Sequence, residues 1–279
     1  MQRMRIIRVL LLAPLLLTQL APHLIAPVHA EEQRIGESGS LKVAVYEQFA
    51  PFSDHGKGID IALAGALARH LGLKLSLLPF PAGENLNDDL RNMVWKGHYL
   101  GYGPADVMLH VPVDRALMAA NGKVEIFAPY HVEAVRLVRD TQAVPQFDGI
   151  ASLAGKRIGV EQISIAAMVL LGEGQGRLRD NVRIYPTAAL ALEQLKAGHL
   201  DAVLANRSEI EAAVRDDARY RQEPLAFERL PRNGWAVGMA VRKDDTELAR
   251  RLQAALNDMV ASGELRDIFA AHGVNLVKP

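Results

Sequence analysis

The 279-residue sequence lacks cysteine and carries no excess of charge of either sign. Without cysteine the chain can form no disulfide and cannot carry the acylated thiol of a bacterial lipoprotein. Its 32 basic and 32 acidic residues give no reason to expect nucleic acid or an anionic membrane as a partner. The fold must therefore depend on a hydrophobic core of its own.

The first thirty residues have the pattern of a secretory signal peptide. A basic start precedes an apolar run over residues 9–17, and small side chains lie before a cut after Ala30. A membrane anchor is the alternative, but the apolar run is shorter than the ~20 residues of a spanning helix, and Pro14 interrupts it. The sequence thus predicts a signal peptide over residues 1–30 and a mature protein free in the periplasm.

Beyond residue 40, short apolar runs alternate with helical patterns almost throughout. Residues 41–45 are predicted as a strand, and apolar side chains recur every four residues from Ile59 to Leu71, which predicts a helix that ends at Gly72. Repeated units of this kind are typical of an α/β fold with largely parallel sheets.

A second set of strand–helix units begins near Ser152. The apolar segments 134–141 and 235–241 are predicted as two strands that cross between lobes. We therefore expect a first lobe of residues 40–138 and 239–279 and a second lobe of residues 139–238. The glycine-dense run at 172–176 lacks the Lys-Ser/Thr of a phosphate loop and is predicted as a surface turn.

Several segments carry a resemblance to a known family: LKVAVYEQFAPFS, KGIDIALAGALARHLGLKL, SLAGKRIGVEQIS and TAALALEQLKAGHLDAVLAN. In order and spacing the chain resembles the periplasmic solute-binding proteins of the amino-acid-transporter type, known as family 3, over residues 40–275. The resemblance implies the two-lobed type II fold. Each lobe would be a mostly parallel sheet flanked by helices, and the lobes would close on a ligand between them.

The resemblance assigns three ligand residues to the first lobe. Phe49 matches the aromatic wall, with Tyr46 beside it, although Phe49 could instead pack under its own loop. Arg115 matches the arginine that pairs with a ligand carboxylate, unless it forms a structural salt bridge with Asp114. Before this arginine the family has a Ser/Thr-rich run, and here a run that begins at His110 takes its place, so His110 is a further candidate.

On the second lobe two expected anchors are altered. Ser164 could bind a carboxylate at a helix start, but Ile163 replaces the family's glycine and Glu161 would repel a carboxylate. Asn206 occupies the position of the acid that pairs with a ligand ammonium group. The sequence therefore does not predict an ordinary α-amino acid as the ligand: it predicts a small polar solute, uncharged or differently charged, unless the cleft has lost its role in transport.

Two classes of partner remain open at this stage. The resemblance implies an inner-membrane ABC permease that receives the solute from a monomeric binding protein. The loop WKGHYLGYG at 95–103 and the Val-Pro dipeptide after it resemble a subgroup that accompanies PQQ-dependent alcohol or methanol dehydrogenases. The alternative is therefore an accessory protein that docks on a periplasmic quinoprotein through aromatic side chains, unless this loop only packs on itself.

No pattern in the chain indicates an enzyme or a cofactor. There is neither a Gly-x-Ser-x-Gly nor a His-Glu-x-x-His motif. A metal site could be built only from distant histidines such as His98, His110 and His131, and we predict none. Because the fold also carries rare enzymes of the cyclohexadienyl-dehydratase type, Glu161 and Asp114 are the acids that catalysis could use, but both are more simply structural or ligand-pairing groups. Glu161 is therefore included among the candidate ligand-binding residues.

Overall fold

The computed structural model describes residues 39–172, 176–225 and 234–279. The predicted signal peptide and the cut after Ala30 lie outside the described residues, as does most of the predicted turn at 172–176. Within the described ranges, none of the helices has the length and apolar character needed to cross a membrane.

Ten strands and eight α-helices are found in the described residues. The strands are β1 (Ser40–Tyr46), β2 (Lys74–Phe80), β3 (Val107–Pro112), β4 (Val124–Glu133), β5 (Val135–Asp140), β6 (Ile158–Glu161), β7 (Val182–Tyr185), β8 (Ala202–Asn206), β9 (Tyr220–Pro224) and β10 (Trp235–Arg242). The helices are α1 (Ile59–Leu71), α2 (Leu86–Leu90), α3 (Arg115–Ala120), α4 (Ile165–Gly172), α5 (Ala188–Lys196), α6 (Arg207–Val214), α7 (Thr246–Ser262) and α8 (Glu264–Ala271). A π-helical turn extends α2 to Trp95.

The strands form two five-stranded sheets of matching design. The first has the order β2-β1-β3-β10-β4, in which β1, β2 and β3 are parallel and β10 runs antiparallel to both β3 and β4. The second has the order β7-β6-β8-β5-β9, with β6, β7 and β8 parallel and β5 antiparallel to β8 and β9. The predicted two-lobed α/β fold is confirmed, and each sheet is mixed, with three parallel strands.

Helix α1 shows how the sequence pattern produces the core of the first lobe. The spaced residues Ile59, Leu63 and Leu67 are fully buried against the first sheet. Gly72 ends the helix with φ 72°, and its backbone N–H donates to the carbonyl of Arg69. The left-handed conformation favours glycine there, as predicted.

The two sheets are connected at points that lie next to each other. Strand β4 of the first sheet is followed by β5 of the second, with only Ala134 between them. On the return, β10 begins at Trp235, which pairs with Glu133 at the end of β4. Trp235 also packs against the buried clusters of both sheets. The passage from β4 to β5 and the start of β10 therefore lie side by side at Glu133.

Candidate functional site

The candidate residues lie where parallel strands end. Tyr46 ends β1 and His110 lies near the end of β3 in the first lobe, while Glu161 ends β6 and Asn206 ends β8 in the second. Carboxyl ends of parallel strands share one edge of a sheet, and open α/β sheets bind ligands at that edge. The candidates of each lobe therefore lie at the edge where sheets of this kind bind ligands.

Three first-lobe candidates form one aromatic cluster. The ring of Phe49 lies 4.8 Å from that of His110 in an edge-on contact and 6.1 Å from that of Tyr46. Behind it, the fully buried Phe52 stacks on Phe49 at 5.2 Å and contacts His110 at 4.1 Å. Phe49 itself is half-buried, so part of its ring stays available beside a packed support.

The hydroxyl of Tyr46 already has a partner within its own lobe. It donates to Asp89 Oδ2 at 3.0 Å, and the ring packs on Phe80 at 4.7 Å. Burial, together with the charge of Asp89, raises the pKa of Tyr46 well above its usual value. Tyr46 can therefore contribute a ring to a binding site, while its hydroxyl supports Asp89.

A cavity of about 300 Å³ also borders Tyr46. Its other walls include Gln48, His55, Ile61 and Pro79, and none of the remaining candidate residues lines it. The cavity is therefore separate from the candidate groups of the second lobe.

His110 belongs to a buried polar group that the sequence did not predict. Its backbone N–H donates to the hydroxyl of Tyr130 at 3.0 Å, and this hydroxyl donates to Asp60 Oδ1 at 3.1 Å. His110 Nδ1 lies 3.4 Å from Asp60 Oδ2 without hydrogen-bond geometry. The backbone of His110 is left-handed, with φ 59°, an uncommon conformation for a residue with a bulky side chain. Tyr130 thus holds a strained residue of the site in place.

We expect Tyr130→Phe to lower the free energy of unfolding by about 1–3 kcal/mol, because it leaves the buried His110 N–H and Asp60 carboxylate without their shared partner. Urea denaturation followed by circular dichroism measures the change. Tyr99→Phe on a side chain that is 88% exposed is the control, expected to stay within about 0.5 kcal/mol of the parent. Equal stability of both variants would show that the buried hydroxyl is not needed.

Arg115 is the first residue of α3 and is exposed. The carboxylate of Asp114 does not pair with it but accepts from the backbone N–H of Leu117 at 2.8 Å and so caps the helix. Within the described ranges Arg115 has no ion pair, so its guanidinium group can receive an anionic group of a ligand.

Ser164 uses its hydroxyl to begin helix α4. The Oγ atom donates to the carbonyl of Glu161 at 2.7 Å and accepts from the N–H of Ala167 at 3.0 Å. The neighbouring Ile163 is 94% exposed and has φ 53°. For a β-branched residue this conformation is strained, and glycine would adopt it freely. The hydroxyl that the sequence assigned to a ligand is therefore engaged within the loop.

The carboxyl group of Glu161 has neither a hydrogen bond nor an ion pair to any described residue, and it is half-buried. Burial raises its pKa to about 7. Nearby, Glu209 is only 6% exposed. Its burial, and to a smaller extent the charge of Glu161, raises the pKa of Glu209 well above the usual value. Two carboxyl groups thus lie where β6 ends and α6 begins.

Asn206 precedes helix α6, and its backbone N–H donates to Glu209 Oε2 at 2.8 Å. Glu209 is not among the predicted site residues, although Asn206 followed three residues later by Glu is a recognisable helix-start pattern. Asn206 therefore helps to begin helix α6. The acidic residue at this helix start is Glu209.

A buried polar network joins the lobes beside these residues. Glu133 Oε1 accepts from the N–H groups of Ala134 at 2.9 Å and Ser208 at 3.4 Å. Arg207 donates through Nη2 to the carbonyl of Val132 and lies 3.1 Å from His131 Nε2. Burial, aided by the charge of Arg207, lowers the pKa of His131 to about 3, so this histidine is neutral at neutral pH. The start of α6 is thereby fixed to the first lobe.

Three buried polar atoms at these positions have no hydrogen-bond partner within the described residues: His110 Nδ1, Glu133 Oε2 and Arg207 Nε. Such atoms are rare in native proteins and require an explanation in each case. Among the described residues, no group of three or more histidine, aspartate or glutamate side chains has the arrangement of a metal site. His98, a member of the metal set considered from sequence, instead stacks on Tyr102 at 4.3 Å.

No protein-family model matches the chain. The L-cystine-binding protein TcyJ of Escherichia coli (strain K12) is 23% identical over 238 residues, which cover 84% of this chain and 82% of that protein. This similarity extends through both lobes.

Two solved structures share the architecture. An ancestral cationic amino acid solute-binding protein superposes with a TM-score of 0.65 at 18% identity, covering 85% of this chain and 96% of the other. An amino acid ABC transporter substrate-binding protein from Streptococcus pneumoniae, bound to L-arginine, gives 0.62 at 19% identity, covering 87% and 97%. The predicted resemblance and the type II fold are confirmed. The quinoprotein-associated alternative has no support from these relatives.

Proposed function

We propose that this chain, a homologue of the solute-binding proteins of amino acid ABC transporters, binds a small polar solute between its lobes and delivers it to a permease. The observation that carries the proposal is the placement of the candidate groups. They lie at the carboxyl ends of parallel strands in both sheets, and the start of β10 pairs with Glu133 at the end of β4, next to the passage from β4 to β5. A solute that contacts both edges would favour the closed arrangement of the lobes.

An amino acid or a close analogue is the solute class we propose. The relatives are named for L-cystine and cationic amino acids, and one was solved with L-arginine. Arg115, which forms no ion pair with a described residue, offers a guanidinium group for a carboxylate, and the half-buried ring of Phe49 offers an apolar wall. The alterations at Ile163 and Asn206 lead us to expect a selectivity that differs from that of the relatives.

We further propose that the protein acts by binding alone, as the substrate-binding relatives do. It would work as a monomer in the periplasm after removal of residues 1–30. Delivery then requires only that the permease recognise the closed form, because closure is what distinguishes the loaded protein from the empty one.

Calorimetric titration of residues 31–279 with the twenty amino acids, L-cystine and small organic acids tests this function. We expect at least one amino acid to bind with a Kd of about 1 μM or tighter, and we expect X-ray scattering to show a smaller radius of gyration when it is bound. Binding with no change in scattering would reject closure, and no binding across the whole set would reject the proposed function.

A further inference from the structure

The second lobe offers little to bind an anion at the loop after β6. The Ser164 hydroxyl donates its proton to Glu161 O, so it has no proton left for a ligand carboxylate. The exposed Ile163 side chain projects from the same loop. Of the other polar side chains here, Gln162 is exposed and neutral, and the carboxyl group of Glu161 would repel an anion.

Two further carboxyl groups lie behind Glu161, and they come from different elements. Glu209 belongs to the first turn of α6 and accepts from Asn206 N at 2.8 Å. Glu133 ends β4, is 1% exposed, and joins the same helix start through Ser208 N. Its Oε2 atom is buried without a partner. Strands β6 and β8 are paired up to Val160 and Leu204, which places Glu161 beside the start of α6 that carries Glu209.

The nearest cation does not neutralise this group. Arg207 lowers the pKa of Glu133, but its Nη2 donates to Val132 O and lies against His131 Nε2. No ion pair between Arg207 and any of the three acids occurs in the described residues, and its Nε lies 3.7 Å from Glu211 instead. Buried carboxyl groups without a counterion are costly, so they favour an incoming cation.

We propose that Glu161, with Glu209 behind it, binds a cationic nitrogen of the solute, an ammonium or guanidinium group, on the second lobe. The inference rests on the proposed function and specifies its solute class. Charge recognition would then be divided between the lobes, with Arg115 available for an anionic group and Glu161 for a cationic one. Glu161 would thereby supply the negative charge that Asn206 cannot.

Titration of the wild type and of Glu161→Gln with L-arginine and with L-citrulline tests this proposal. Citrulline keeps the shape of arginine but replaces its guanidinium with a neutral urea. We expect Glu161→Gln to weaken arginine binding by about 10–100-fold, since a hydrogen-bonded charge pair becomes a neutral contact. Glu193→Gln, at an exposed position of α5, is the matched control and should leave affinity unchanged.

The two probes also identify which nitrogen is held. If Glu161 binds the side-chain guanidinium, only arginine loses affinity in the variant. If it binds the α-ammonium, arginine and citrulline lose affinity together. Either result supports the proposal.

Proton exchange gives an independent readout. With a pKa of about 7, Glu161 is half protonated at pH 7, and a bound cation favours its ionised form. Binding should therefore release about half a proton at pH 7, and affinity should rise about tenfold from pH 6 to pH 8. Glu209 and Glu133 are the other acidic groups beside Glu161. Any proton release that remains in the Glu161→Gln variant therefore reports on these two groups.

Wild-type affinity for both probes in Glu161→Gln would overturn the inference but leave the proposed function intact. If the wild type binds only acidic or neutral solutes that lack an ammonium group, the inference also fails. A wild type that binds nothing in the wider solute screen rejects the proposed function itself, so the two failures are distinguishable.

Discussion

Replacing Arg207 with alanine is expected to lower the free energy of unfolding by about 3–5 kcal/mol, because the loss of a buried charged partner leaves the remaining groups uncompensated. The Arg207 side chain is only 13% exposed. Without it, Val132 O loses its charged donor and His131 Nε2 loses a contact. Glu133, whose pKa burial already raises, loses a stabilising positive charge. Urea denaturation of the mature chain measures the change.

Arg250→Ala provides the matched control. Arg250 is exposed on α7, where it pairs with Glu247 at 2.5 Å, and surface pairs of this kind contribute roughly 0–1 kcal/mol. If Arg207→Ala lowers the free energy of unfolding no more than this control does, the polar network at the start of α6 does not hold the lobes together. The connection between the lobes would then depend on backbone contacts alone.

The repeated strand–helix pattern made most of the fold predictable. Apolar spacing located α1 and the parallel strands, because burial on one side leaves a period in the sequence. The strands at the edges of the sheets were harder to predict. Among the described strands, β9 (Tyr220–Pro224) pairs with β5 alone, and its sequence has no apolar alternation that would predict a strand. Strand β4 continues to Glu133 through Pro129, which an edge strand tolerates because no donor is needed there.

The sequence predicted only those candidate residues that lie directly after a predicted strand. The ends of predicted strands located Phe49, His110 and Glu161, but no sequence pattern indicated what each side chain would contact. Tyr130 reaches Asp60 across 70 positions, a pairing that no local pattern contains. The engagement of Ser164 with Glu161 is likewise a product of the folded loop. Long-range polar contacts depend on the tertiary fold, and for this reason the buried acids and their partners were missed.

The second large effect is expected at Gly234, where the chain returns to the first lobe. Its φ is 81°, and a Cβ atom there would lie 1.9 Å from Glu133 O and 2.9 Å from Ala134 Cβ. An alanine would thus be strained in its backbone and would also push the two connections apart. Gly234→Ala should lower the free energy of unfolding by about 2–5 kcal/mol.

Gly155→Ala separates the two causes of this loss. Gly155 has a similar φ of 71°, but nothing lies within 4 Å of its Cβ position, so its substitution reports backbone strain alone, about 1–2 kcal/mol. The excess cost at Gly234 then measures the close approach of the two connections. Because that approach fixes the spacing of the lobes, Gly234→Ala should also weaken solute binding, whereas Gly155→Ala should not. Equal losses of stability with unchanged affinity would show that the connections can separate without disturbing the lobes.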